Sequence, residues 1–150
     1  MNSKVFVDTN VLVYVYDRSE PIKQRRALEV WDRLRLTGAG VISTQVLAEF
    51  FNTTTRRLRA PLTVEEAYGR LETLIQVWTV VELSGLTVLE AARGVRDYQM
   101  SFWDALIWAT ARLNQISMVF SEDFPSGAMI EGVRFVNPFA ADFVVADWLE

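Results

Sequence analysis

Four acidic residues that are far apart in the chain occupy positions where a carboxylate can do chemistry. Asp8 follows the apolar run KVFV and Asp123 comes shortly after the run MVF, while Glu49 and Asp104 lie early in segments with helical patterning. Carboxylates that converge without a basic partner bind a divalent cation, and a site without His or Cys favours Mg²⁺ or Mn²⁺ over zinc. Such a cation lowers the pKa of water and neutralises phosphate charge, and hydrolysis of a phosphodiester needs both.

Each of these acids also has an ordinary structural explanation. Asp8 can cap the helix that follows it, and Asp104 can complement the dipole of the helix that it begins. Glu49 can be a solvated helix position, and Asp123 can be a turn residue before Pro125. The metal-site interpretation is favoured because all four acids map to one edge of the expected sheet.

That shared edge follows from the alternation of strands and helices, which indicates a parallel α/β sheet with right-handed crossovers in a single domain over residues 1–150. Strand carboxyl ends and helix starts lie at the same edge of such a sheet, and ligands bind there at the switch point of strand order. The expected strands lie in the segments KVFV, VISTQ, VWTVVEL, SMVFSED and VRFVNP. The tail FAADFVVADWLE fits either a docking helix or a frayed end.

Helices are predicted from their starts and their apolar faces. The segment after Asn10 fits a strand or a short helix, and a helix is favoured because Thr9 and Asn10 can cap it. A longer helix begins at Pro21, with Leu28, Trp31 and Leu34 on one face.

Capping patterns predict three further helix starts. Thr63 with Glu66, and Thr87 with Glu90, have the spacing of a capping box, and Ser101 precedes the segment that contains Asp104.

Composition excludes several classes of enzyme. The chain has no His and no Cys, so Ser-His-Asp catalysis, zinc held by imidazole, disulfides and thiolate chemistry are all absent. The net charge of −4 gives no globally basic footprint for nucleic acid. A polyanionic substrate therefore has to be held by a metal ion and a local basic patch.

The apolar content bears on location and partners. Hydrophobic residues make up 51% of the chain, yet no run is long enough to span a bilayer, and the start MNSKVFVD does not resemble a secretory signal. We expect a cytoplasmic protein with no membrane association. The apolar excess suggests a partner surface, such as a homodimer interface.

The densest basic cluster is formed by Arg56, Arg57 and Arg59, after the segment that carries Glu49. Its arginines can contact substrate phosphates beside the active edge, or they can simply complement the end of a helix.

The aromatic residues of the helical segments are expected mostly in the core, because helical spacing usually means packing. The alternative is that some of them line a groove for a partner. The residues concerned are Phe50, Phe51, Trp103 and Trp108.

Four segments resemble the PIN domain, and in particular VapC-type toxins of toxin–antitoxin pairs. They are FVDTNVLVY, the glutamate-bearing STQVLAEFFN, SFWDALIWATA and FSEDFPSGAMIEGVRFVNPF, which span nearly the whole chain in the order of the family. The resemblance implies a three-layer α/β/α fold with a five-stranded parallel sheet. It also implies a metal-dependent endoribonuclease that hydrolyses RNA with a metal-activated water.

The resemblance assigns roles to individual residues. The implied catalytic acids are Asp8, Glu49, Asp104 and Asp123. Three of these acids are the implied ligands of Mg²⁺ or Mn²⁺, namely Asp8, Asp104 and Asp123. Asn10 and Ser121 match the small polar positions beside the acids, whereas Glu122 is expected to point away from them. The implied partners are an RNA substrate, a cognate antitoxin that places a basic side chain among the acids, and a second copy of the chain.

Other functions fit less well. A haloacid-dehalogenase-type phosphatase needs a second Asp where Asn10 stands, and a response-regulator receiver needs a late lysine, whereas the only lysines are Lys4 and Lys23. A DNA-directed flap nuclease needs insertions for which this chain is too short. The remaining alternative is a PIN-like scaffold that binds RNA or a partner without cleaving it. The loss of one of the four acids would indicate such a scaffold, and none has been lost.

Overall fold

The computed structural model describes residues 3–149, which form a six-stranded sheet flanked by helices. The strands are β1 Val5–Val7, β2 Gly40–Ser43, β3 Thr79–Val81, β4 Met118–Phe120, β5 Met129–Ile130 and β6 Val133–Val136. The helices are α1 Thr9–Val13, α2 Pro21–Thr37, α3 Thr44–Arg56, α4 Val64–Val77, α5 Gly85–Tyr98 and α6 Phe102–Leu113. A 3₁₀ turn, Tyr14–Tyr16, extends α1.

The order of the strands places the switch point beside the first strand. The sheet runs β3-β2-β1-β4-β6-β5, and the neighbours from β3 to β6 are all parallel. The chain builds outward from β1 in one direction through β2 and β3, then returns to the other side of β1 with β4. The carboxyl ends of β1 and β4 therefore flank the crevice where ligands bind in open α/β sheets.

The predicted α/β fold is confirmed, but the strand count of five was one too low. The additional strand, β5, is a two-residue edge strand that pairs antiparallel with β6. The two residues between them, Glu131 and Gly132, have φ angles of 47° and 82°. Positive φ at both central residues is what a two-residue hairpin turn requires, and Gly132 adopts it without strain.

Helix α2 begins and ends as its sequence predicts, but its buried face is different. Pro21 is at the start of the helix, and Gly38 follows its end with a left-handed φ of 68°. The buried side chains are Ala27, Val30 and Leu34, whereas Leu28 is 44% exposed. Of the apolar face predicted for this helix, Leu34 is buried and Trp31 packs against the core, but Leu28 lies outside it because Ala27 and Val30 occupy the buried side of the helix.

The N-cap of helix α5 lies three residues before the predicted cap, Thr87. Its N-cap is Ser84, whose hydroxyl accepts a hydrogen bond from the backbone N–H of Thr87 at 3.4 Å. Thr87 is therefore the third residue of the helix, and the predicted Thr87–Glu90 capping box was wrong. Glu90 pairs instead with Arg93 and with Arg112 on the neighbouring helix α6. The other predicted box, at Thr63 and Glu66, is present in α4.

The C-terminal tail is neither a long helix nor detached from the domain. It contains one 3₁₀ turn, Val145–Asp147, and buries Phe143, Val145 and Leu149. The ring of Phe143 lies 5.7 Å from that of Phe120, in an edge-to-face contact. The tail therefore completes the core beside β4.

The aromatic residues divide between core and surface. Phe50 and Trp108 are buried as expected, and Phe51 is partly buried. Trp103 is not a core residue, since 64% of it is exposed, and it follows the alternative of a surface position that was left open for some of these rings. No helix in the described residues is long and apolar enough to cross a membrane.

Gly40 offers a test of how closely the sheet packs on its helices. A Cβ added at Gly40 would lie 2.1 Å from an atom of the buried Trp78 ring, whereas one added at Gly69 in α4 would meet open space. We expect Gly40→Ala to destabilise the fold by about 1–3 kcal/mol. Gly69→Ala should stabilise it by roughly 0.5–1 kcal/mol, because alanine loses less entropy in a helix. Urea denaturation of both variants measures the two effects, and equal stabilities would contradict this packing.

Candidate active site

Asp8 lies at the centre of the site, directly after β1. Its backbone N–H donates to the carbonyl of Phe120 in β4 at 3.0 Å, so Asp8 is fixed between the two strands at the switch point. Its Oδ1 accepts a hydrogen bond from the backbone N–H of Thr9 at 2.7 Å and caps α1. Only 5% of Asp8 is exposed. The residue thus has the capping role that its position suggested, but a cap alone does not require a buried carboxylate.

Asn10 and Ser121 connect Asp8 to Asp123. The hydroxyl of Ser121 donates to Asp8 Oδ2 at 2.7 Å and accepts from the backbone N–H of Asp123 at 3.1 Å. The amide of Asn10 donates to Asp8 Oδ2 at 3.4 Å and to Asp123 Oδ2 at 3.2 Å. Two carboxylates that repel each other are therefore held together by shared donors, as expected of the small polar positions.

Two capped helices bring the remaining acids to the same place. Ser43 caps α3 through the backbone N–H of Val46 and sets the direction of the helix that carries Glu49. Thr9 Oγ1 then donates to Glu49 Oε1 at 3.1 Å. Ser101 caps α6 through the backbone N–H of Asp104 at 3.2 Å, so Asp104 lies in the first turn.

The four predicted acids line one pocket of about 360 Å³. Within residues 3–149, none of Asp8, Glu49, Asp104 and Asp123 forms an ion pair with a basic residue. Arg57 also lines the pocket, and it is the one basic side chain that does so in the described part of the chain. Arg56 is exposed at the end of α3 but is not part of the lining.

Burial and mutual repulsion raise the pKa values of Asp8, Glu49 and Asp123. Burial, together with the charge of Asp123, raises the pKa of Asp8 to about 7 against the opposing hydrogen bond from Ser121. Burial likewise raises the pKa of Glu49, and the charges of Asp104 and Asp123 add to the effect. The pKa of Asp123 is raised by burial and then by Asp104. Several raised pKa values in one pocket are typical of a functional site.

The fit of these acids to a metal ion can be judged from their spacing. Among residues 3–149, no three acidic side chains lie close enough together to hold one ion directly. The pair that Asn10 bridges, Asp8 and Asp123, offers oxygen donors only. Mg²⁺ keeps several waters and uses one or two carboxylates with substrate phosphate, so this pair fits it. The third predicted ligand, Asp104, stays a prediction.

Glu122 points away from the other acids, as expected. Its carboxylate accepts from the hydroxyl of Tyr14 at 2.5 Å and from Lys23 Nζ at 3.0 Å. Lys23 thereby neutralises the acid next to Asp123 and leaves the pocket acids unpaired.

Some pocket residues were not anticipated from the sequence. Thr9 orients Glu49, while Tyr14 and Asp17 contribute to the lining. Thr9 follows Asp8 directly, so adjacency to a candidate acid was the available signal. Trp103, which also lines the pocket, was among the aromatic residues for which a groove position stayed open. Asp17 carries no comparable signal, since it ends the 3₁₀ turn and binds Ser19 as an ordinary turn residue does.

Comparison with known proteins identifies the family. The model of the PIN domain matches residues 5–124, which contain all four acids. The chain belongs to the PIN domain family. No match is found among curated proteins.

Solved structures of PIN-domain toxins have the same fold. Mycobacterium tuberculosis VapC20, described as a sarcin-ricin loop cleaving toxin, superposes with a TM-score of 0.66 at 19% identity, over 85% of this chain and 98% of its own. A toxin–antitoxin complex from Klebsiella pneumoniae superposes with a TM-score of 0.62 at 22% sequence identity, covering 91% of this chain and 98% of its own. DNA-bound VapBC from Salmonella typhimurium superposes with a TM-score of 0.62 at 19% sequence identity, covering 89% of this chain and 96% of its own. The resemblance to VapC-type toxins is thus confirmed in the fold.

Proposed function

We propose that this PIN domain is a Mg²⁺- or Mn²⁺-dependent endoribonuclease and the toxin of a toxin–antitoxin pair. One observation carries the proposal: four acids from separate segments line one pocket, and no basic residue in the described chain neutralises them. Such a pocket is costly to the fold, because buried like charges repel each other. A cation that shares the pocket with a substrate phosphate removes that cost and makes the arrangement useful.

The residues have separable roles in the proposed hydrolysis. Asp8 and Asp123 would hold the ion with Asp104 as the predicted third ligand, while Asn10 and Ser121 fix the pair. When bound, the ion supplies charge neutralisation at the phosphate and lowers the pKa of water.

Glu49 suits the role of a proton acceptor. Burial raises its pKa, and Thr9 donates a hydrogen bond to one of its oxygens, so it can orient the attacking water and take its proton. The new bond joins the water oxygen to phosphorus, the bond between phosphorus and the 3′ oxygen breaks, and the leaving 3′ oxygen takes a proton from solvent. The products are a 5′-phosphate and a 3′-hydroxyl. Arg57 is placed to contact a phosphate of the substrate, and Arg56 remains the weaker candidate.

The proposed partners follow from the same pocket. Solved neighbours include toxin–antitoxin complexes, and an antitoxin could place an Arg or Lys side chain among the acids in place of the cation. A homodimer remains part of the proposal, with its surface unassigned.

Metal dependence provides the direct test. We expect cleavage of a mixed cellular RNA substrate in Mg²⁺ or Mn²⁺ and its loss with EDTA, because the acids need a cation before they can accept a phosphate. Independently of activity, Mg²⁺ should raise the melting temperature at pH 8, since it relieves repulsion in the folded pocket and binds the unfolded chain weakly. Fragment ends should be 5′-phosphate and 3′-hydroxyl.

Two outcomes count against the proposal. Cleavage that persists in EDTA contradicts the metal model, and RNA binding without cleavage in either metal favours the non-catalytic scaffold.

A further inference from the structure

Trp103 is an exposed aromatic residue at the rim of the acidic pocket. It precedes Asp104 at the start of α6, lines the pocket, and exposes 64% of its surface. The side-chain amide of Gln45 donates a hydrogen bond to the backbone carbonyl of Trp103 at 3.3 Å and helps to position this residue. The ring of Phe102 lies 5.4 Å away at 74°, an edge-to-face contact. In the described residues no cation lies over Trp103 and no ring stacks parallel to it.

Tyr14, the other aromatic residue of the lining, is already engaged. Its hydroxyl binds Glu122 and Lys23, its ring lies 4.8 Å from Phe139, and the Lys23 ammonium is 4.9 Å from its centroid. Tyr14 therefore belongs to the wall of the pocket. Trp103 alone among the lining rings, within residues 3–149, offers an unoccupied aromatic surface.

We propose that Trp103 is the platform on which an unpaired nucleobase of the RNA stacks while the neighbouring phosphate occupies the acidic pocket. This inference rests on the proposed function. A phosphate at the acids leaves its attached nucleoside at the rim, where a flat apolar ring next to Asp104 can receive the base. Every base has an aromatic face, so stacking supports binding without fixing the sequence. The platform therefore selects single-stranded or flipped-out nucleotides over paired ones.

The surroundings favour a nucleobase over an apolar protein segment. The pocket that Trp103 lines contains the four acids and Asp17, together with Arg57 as a proposed phosphate contact, beside the apolar side chains of Val13, Leu58 and Ile107. An apolar segment would bury these acids without replacing their water. A nucleotide supplies both an aromatic face for the tryptophan and an anion for the cation.

The test is a binding cycle in the Asp8→Asn background, which prevents cleavage. The probes are a short single-stranded RNA and a set of the same RNA with one abasic nucleotide at each position in turn. Trp103→Ala should weaken binding of the intact RNA about tenfold. For one abasic probe the substitution should have no effect, because the stacked base is already missing. Trp103→Phe should restore most of the affinity, and Tyr68→Ala, which removes a ring 60% exposed on α4, should change nothing.

The alternatives give different results. Unchanged affinity in Trp103→Ala overturns the inference and leaves the ring as a contact for a protein partner. An equal loss with every abasic probe also overturns it, since it shows a general disturbance of the rim. Cleavage by the protein with Asp8 intact is measured separately. If that protein cleaves RNA but Trp103→Ala and the abasic probes show no coupling in binding, only the Trp103 inference fails. If that protein does not cleave RNA in Mg²⁺ or Mn²⁺, the proposed function fails.

Discussion

Asp8→Asn should abolish metal-dependent RNA cleavage while the fold remains intact. The substitution keeps the size of the side chain and leaves one oxygen to accept from Thr9 or Ser121. It removes the negative charge that Mg²⁺ needs at the centre of the pocket. Because metal-ion catalysis supplies several kcal/mol of charge stabilisation, we expect a loss of roughly a thousandfold or more. A single-turnover assay with end-labelled RNA in saturating Mg²⁺ measures it.

Asp32→Asn is the matched control for this loss. It removes the same charge from an exposed position on α2 that is not part of the pocket. Its cleavage rate should stay within a factor of about two of the original. Full activity in Asp8→Asn with an intact fold would refute the assignment of the site.

The second large effect concerns stability and pH. Folding raises the pKa of Asp8 from 3.8 to about 7, so the folded chain keeps this proton over a range in which the unfolded chain loses it. Stability from this residue is therefore greatest below pH 4, falls as the pH rises toward 7, and stays low above it. The difference corresponds to roughly 4 kcal/mol. Without metal, Asp8→Asn should thus be more stable than the original chain at pH 8, with the advantage disappearing near pH 4.

Urea denaturation of both proteins across this pH range, in EDTA, measures the difference in unfolding free energy. The comparison isolates Asp8 because the other titrating groups are common to both chains, and Asp32→Asn again controls for the loss of one charge. If the difference in unfolding free energy does not change with pH, ionising Asp8 does not destabilise the fold. The inference that the acidic pocket is destabilising without a cation would then be wrong. Added Mg²⁺ should reduce the advantage of the variant at pH 8.

The convergence of the acids could be predicted from sequence because it depends on topology. In a parallel sheet, Asp8 and Asp123 follow strands and Asp104 follows a helix cap, so all reach one edge whatever the details of packing. Capping likewise depends on local chemistry, and the capping box at Thr63 and the cap at Ser101 were predicted correctly. The resemblance to the family's motifs supplied the three-layer fold and the proposed role of each acid.

The errors arose where tertiary packing decides between similar patterns. Trp103 and Trp108 are five residues apart, about 140° around a helix, so they cannot share one buried face. Only the fold shows that Trp108 faces the core and Trp103 the pocket. The buried stripe of α2 was missed because Ala27 is small and Leu28 beside it is large. The strand β5 was missed because its turn has Glu131 where Asn or Asp is the usual signal.

The position of β1 in the sheet has a consequence for synthesis of the protein. Asp8 precedes the strand beside it, β4, and the residue that faces it, Asp123, by more than a hundred residues in the chain. A nascent chain therefore has no assembled pocket until β4 and Asp123 have left the ribosome. The RNA cleavage proposed above cannot begin on the nascent chain before that point.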